Sequence, residues 1–205
     1  MLKCYVGYSK IKPLYTHGQT GGCTTTLALT ALNTSLVDGI IAARDLNPPA
    51  TFVAHNLQDL VMACGSIYEE FQYVRIPGGW AKMGQIGKPC DINKAFKLKI
   101  SLCCSHVSRP GLAKINKQNR AKVTRWRTPM KCWLCRDHTG IKADITVGDT
   151  QVHPKRNIII ARTGLGLELL NRSVNMGFLN VKEHSFQAIK QKQPYLFRGP
   201  SHGLL

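Results

Sequence analysis

Hydrophobic and polar positions alternate along this chain in two different periods, and the periods trade places. Leu27, Ala31 and Leu32 lie at helical spacing in a stretch that Gly21 and Gly22 open and that runs to about Asn33. Residues 37–43 then read as a short buried strand, broken by Asn47-Pro48-Pro49, with a further strand predicted over Thr51–Ala54. Asn56 is placed to cap a helix carrying Leu57, Leu60, Val61 and Cys64. Leu98–Cys103 alternates as a strand does. Asp144–Val147 and Asn157–Ala161 also read as strands, the second apolar enough to be covered on both faces. Leu165, Leu169 and Leu170 give one apolar side to a helix over 164–176, with Gly177 as its C-terminal stop and a strand following from Phe178.

The middle is less regular. Ile76–Trp80 and 108–121 read as loops, Asp91–Phe96 as one or two helical turns, and Val123–Arg127 as a cationic edge strand. Strands interleaved with helices predict an α/β fold: a single domain with a mixed, largely parallel sheet flanked by helices, plus a Cys-rich region. Its expected extent is 1–193, with a tail over 194–205.

Composition sharpens this. Of 205 residues, 43% are hydrophobic, enough for a buried core. No apolar run reaches the roughly 18–20 residues that span a bilayer, and the N-terminus lacks a secretory pattern, so a cytoplasmic protein is expected. The net charge of +17 is unevenly spread: residues 1–80 are neutral, 81–131 carry +12 and 132–205 carry +5. Such a block attracts polyanions, whether nucleic acid, cofactor phosphates or an acidic partner.

Five of the eight cysteines fall between 90 and 135. Cys132 and Cys135 form a C-x-x-C pair. Side chains at Cys103 and Cys104 point to opposite faces of a strand, so one of them joins Cys90, Cys132 and Cys135 in a four-thiolate set. Such a set suits either zinc or a 4Fe-4S cluster. A zinc-stabilised nucleic-acid-binding protein is therefore the alternative reading, using the basic block with Trp126 or Trp133 for stacking. Two further features could meet a ligand. Thr20-Gly21-Gly22-Cys23-Thr24-Thr25 stands at a helix start, where free N–H groups favour an anion. Asp144 to Asp149 brackets a strand, with Gly148 allowing close backbone approach.

In this order, the motifs resemble the beta-subunit family of coenzyme F420 hydrogenases and dehydrogenases. The matching text is Lys3–Ser9, TGGCTTTLALTAL at 20–32, LVDGIIAARD at 36–45, Gly65–Tyr68, Ile86–Asp91 and Ser101–Ser105. It continues with KCWLCRDHTGIKADITVGD at 131–149 and RTGLGLELLNRSVNMGFL at 162–179. The resemblance implies that Cys90, Cys104, Cys132 and Cys135 ligate a 4Fe-4S cluster. It implies that Gly21, Gly22, Thr25, Asp144, Gly148 and Asp149 line a crevice for FAD. The implied activity is that of an iron–sulfur flavoprotein oxidoreductase or electron-transfer subunit, with coenzyme F420 or another redox substrate as hydride partner. Other hydrogenase or dehydrogenase subunits, or ferredoxin, are the implied protein partners, and nucleic acid is disfavoured. A scaffold subunit of the same fold without turnover is the remaining alternative. The stretches 72–87 and 104–132 are short for this family, and no C-x2-C-x2-C-x3-C run is present.

Overall fold

The chain enters its sheet through β1 (Lys3–Ser9), where Cys4, Tyr5 and Val6 are all buried. The computed structural model describes residues 2–44, 50–65, 84–87, 97–102, 139–150 and 155–192. After β1 come α1 (Lys12–His17), α2 (Cys23–Asn33), β2 (Ile40–Arg44), β3 (Ala50–Ala54) and α3 (Leu57–Met62). Then follow β4 (Gly84–Gly87), β5 (Leu98–Leu102), β6 (Ile145–Asp149), β7 (Asn157–Ala161), α4 (Gly164–Asn175), β8 (Leu179–His184) and α5 (Phe186–Lys192).

The eight strands form one sheet in the order β3-β2-β4-β5-β6-β7-β1-β8. The pairings β2·β4, β4·β5 and β5·β6 are parallel. The pairs β2·β3, β6·β7, β1·β7 and β1·β8 are antiparallel. The sheet is thus mixed, as expected, but not largely parallel: four of its seven pairings among the described residues are antiparallel, and the parallel part is gathered in the centre. This matters for the site, because neighbouring parallel strands bring their C-terminal ends to one edge.

Strand alternation sends side chains to two cores. On one face, Tyr5, Ile40, Ala42, Leu98, Ile100, Ile145, Val147 and Ile159 pack against Leu27, Ala28 and Ala31 of α2 and Leu169 and Leu170 of α4. On the other face, Cys4, Val6, Ile158 and Ile160 meet Ile189, with Phe186 against them. The run Ile158-Ile159-Ile160 is continuous because α5 covers the second face there.

Helix starts follow their caps. Asn56 accepts from the Asp59 N–H at 3.0 Å, and Asp59 in return accepts from the His55 N–H at 2.8 Å. Thr163 accepts from the Gly166 N–H at 3.1 Å, and Gly177 closes α4 at φ +71°. The threonines buried in α2 are satisfied locally: Thr30 Oγ1 lies 2.9 Å from Thr26 O and 2.9 Å from Ser173 Oγ of α4.

Some elements differ from the expected ones. The strand expected over 37–43 begins at Ile40, and Val37 is instead a buried residue ahead of it. β1, α1, β4 and α5 are not among the elements the sequence pattern predicts. The expectations for 76–80, 91–96, 108–121 and 123–127, for Cys90, Cys103, Cys104, Cys132 and Cys135, and for the tail 194–205 lie outside the described residues. No helix among the described residues is long and apolar enough to cross a membrane.

Candidate functional site

Where the parallel strands end, α2 begins. A pocket there is lined by the 18–20 turn, by Gly22 to Thr25 of the helix start, and by Ala63 and Gly65 after α3. Ile86 of β4, Val147 to Asp149 of β6 and Asn157 of β7 complete it. This is the edge at which open α/β sheets hold ligands, since strand ends diverge there and the loops leave a crevice.

The helix start is built by close packing. Gly22 sits at φ +70°, and a Cβ there would lie 2.4 Å from the Leu14 carbonyl oxygen of α1. Only glycine allows both the left-handed turn and the contact. The Gly21 carbonyl accepts from the Ser9 N–H at 2.7 Å, which ties the turn to the end of β1. First-turn N–H groups of a helix lack intrahelical acceptors and carry its positive dipole end, so Thr24 and Thr25 present this wall of the pocket with donor character.

Asp149 adds a carboxyl group to the lining. Asp149 Oδ1 accepts from the Thr20 hydroxyl at 2.7 Å, and Gln19 Nε2 lies 3.5 Å from Oδ2. Burial pushes the Asp149 pKa up, and the Thr20 hydrogen bond opposes that shift. Thr25 Oγ1 donates to the Gly22 carbonyl at 3.2 Å.

Four of the expected crevice residues are thus together: Gly22, Thr25, Gly148 and Asp149 line the pocket. Two are elsewhere. Gly21 is buried behind the lining, against Gly7 and Asn157. Asp144 lies at the other end of β6, where its carboxylate accepts from the Lys99 N–H at 2.8 Å and the Thr163 hydroxyl at 3.0 Å. It also faces the Lys99 ammonium at 3.2 Å. Asn157, Gln19, Ile86 and Val147 join the lining without having been singled out in the sequence. A polar residue opening an otherwise apolar strand was the available signal for Asn157.

Of the described cysteines, Cys4 and Cys23 are buried and Cys64 is half-buried against the core, with Cys23 also lining the pocket. Cys23 is fully buried, and burial pushes its thiol pKa up. Burial also raises Cys4, to about 11, and Cys64, whose Sγ lies 3.4 Å from the Leu60 carbonyl oxygen. Burial thus disfavours the thiolate at all three. Among the described residues, no group of three or more His, Cys, Asp or Glu is placed to hold a metal.

Beyond the pocket, Tyr8 and Tyr15 meet edge to face at 6.0 Å. Arg156 lies over the Tyr8 ring at 5.6 Å, and Lys155 over Tyr15 at 5.9 Å.

Two family models match in succession. The model for the N-terminal part of the coenzyme F420 hydrogenase/dehydrogenase beta subunit covers residues 4–75, and that for its C-terminal part covers 105–186. The fold is similar to that of a chain in the F420-reducing [NiFe] hydrogenase complex from Methanosarcina barkeri. The TM-score is 0.74 at 18% identity, over 96% of this chain and 89% of that one. No curated protein matches the chain.

Proposed function

The chain belongs to the beta-subunit family of coenzyme F420 hydrogenases and dehydrogenases, and from that premise we propose that it is a working redox subunit. On this reading FAD occupies the pocket at the start of α2, and a 4Fe-4S cluster is held by Cys90, Cys104, Cys132 and Cys135. The FAD, when bound, supplies hydride exchange with a carrier such as coenzyme F420 and single-electron exchange with the cluster.

One observation carries the proposal. β4, β5 and β6 are neighbouring parallel strands that run toward the edge where α2 starts. The chain leaves β4 at Gly87, three residues before Cys90, and leaves β5 at Leu102, two residues before Cys104. At about 3.5 Å per extended residue, the chain between each strand end and its cysteine can span at most roughly 11 Å. The same topology therefore supports a flavin site and two cluster ligands at one end of the sheet.

The pocket fits a phosphate-bearing cofactor in its donor set. Thr24 and Thr25 offer backbone N–H groups to a phosphate, and Gly22 and Gly148 keep the walls low. Asp149 suits a hydroxyl or ring N–H donor rather than a phosphate, so the two together orient the cofactor. The chain's own part is to bind, orient and shield. Other hydrogenase or dehydrogenase subunits, or ferredoxin, exchange electrons with it.

Anaerobic purification with joint assay of iron, sulfide, zinc and flavin tests this reading. About four irons and one FAD per chain are expected, with cluster absorption lost in Cys132→Ser and kept in Cys103→Ser. Stoichiometric zinc without iron or flavin would overturn it.

A further inference from the structure

Asn157 opens β7 as a polar residue ahead of four apolar ones, and it is only 6% exposed. Its side chain bonds to three separate segments of the pocket. Oδ1 accepts from the Cys23 N–H, at the first residue of α2, at 3.2 Å. Nδ2 donates to Thr20 Oγ1 at 2.6 Å and to the Gly148 carbonyl at 3.3 Å. A buried amide earns its place only if its donors and acceptor find partners, and here all three partners belong to the pocket's own segments.

The direction of these bonds follows from chemistry. A backbone N–H can only donate, so the amide oxygen must face Cys23 and the NH2 must face Thr20. The Thr20 oxygen then accepts from Asn157, and its single proton goes to Asp149 Oδ1, 2.7 Å away. Asn157 thereby decides which way the Thr20 hydroxyl points, and through it how Asp149 is held. It also accounts for Gly21: a Cβ there would lie 2.6 Å from Asn157 Oδ1 and 3.0 Å from the Gly7 carbonyl oxygen. Any side chain at position 21 would expel the amide, so the first glycine of the double-glycine turn makes room for Asn157 and does not line the ligand's space.

We propose that Asn157 is the positioning residue of this pocket, locking the start of α2, the Thr20 turn and the end of β6 into one arrangement. Its effect on a ligand rests on the flavin reading above; its effect on the apo chain does not. The test therefore has two arms, both on the full chain. The first is residue-resolved amide hydrogen exchange without cofactor. Asn157→Ala should speed exchange of the Cys23 amide at least tenfold while leaving Ile159 in β7 unchanged. Asn157→Asp keeps an acceptor for Cys23 and should preserve that protection. The second arm is FAD titration by flavin fluorescence. Asn157→Asp loses both donors and should weaken binding at least tenfold, as should Thr20→Val, while Thr20→Ser restores affinity. Unchanged Cys23 exchange in Asn157→Ala overturns the proposal whatever FAD does. Faster exchange with FAD affinity within twofold of the parent in Asn157→Asp overturns the link to the ligand and leaves the flavin reading standing. If the parent chain binds no FAD, the flavin reading falls and the exchange arm alone decides.

Discussion

β6 carries an aspartate just before its first residue and another as its last, and the two do opposite work. Asp144 is consumed by the fold. Its carboxylate takes the Lys99 N–H, the Lys99 ammonium and the Thr163 hydroxyl, and its own carbonyl accepts from the Arg162 N–H at 2.9 Å. Even the neighbouring helix is fitted to it: a Cβ on Gly166 would lie 2.1 Å from the Asp144 carbonyl oxygen. Asp149, five residues on, faces the pocket beside the start of α2. The strand's direction decides the difference. In the parallel centre of the sheet, C-terminal strand ends open onto a crevice, while N-terminal ends are closed by the turns that feed them. Residue type and spacing alone do not distinguish a buried lock from a ligand-facing carboxylate.

The two aspartates should respond differently to substitution, with the larger loss of stability at Asp144. Asp144→Ala removes the carboxylate that takes the Lys99 N–H, the Lys99 ammonium and the Thr163 hydroxyl, and should cost about 3 kcal/mol in urea unfolding. FAD affinity of the chain that remains folded should stay within twofold. At the other end the pattern reverses: Asp149→Ala should weaken FAD at least tenfold, with no loss of thermal stability at pH 7. Thr163→Ala removes both the α4 cap and one bond to Asp144, and should cost about 1–2 kcal/mol by the same unfolding measurement.

The smallest effect is a dependence on pH. Burial raises the Asp149 pKa above its ordinary value of 3.8, so the folded chain holds that proton more tightly than the unfolded one. Between the ordinary and the raised value, stability contributed by this group falls as pH rises. Asp149→Asn should remove that component from a melting-temperature profile taken between pH 4 and 7, so its advantage over the parent grows toward neutrality.

Much of this fold was legible because its elements carry strong periodic or capping signals. Asn56, Leu169 with Leu170, and the Ile158–Ile160 run each point to a definite element, and each is found there. β4 was not legible: its sequence, Gly-Gln-Ile-Gly, is four residues long and has no alternation to detect. α1 begins with Pro13 near its first position but has only Leu14 buried, too little for a periodic stripe. The site was legible in part. Gly22, Thr25, Gly148 and Asp149 sit beside turn and strand-end signals that mark a crevice. Asn157 was hidden because its role depends on partners 134 and 137 residues away in the chain. Asp144 looked equivalent to Asp149 because strand polarity relative to neighbours is a property of the sheet, not of the segment.

On the reading proposed above, the pocket where α2 starts and β6 ends is the flavin site. Fluorescence titration of the cofactor-free chain with FAD, run in parallel on the parent, Asp149→Ala and Asp144→Asn, tests it most directly. Asp144→Asn should keep parent-like affinity despite a lowered melting temperature, and Asp149→Ala should bind at least tenfold more weakly at an undiminished one. Equal affinity in Asp149→Ala and the parent, or loss of binding in Asp144→Asn alone, would contradict it.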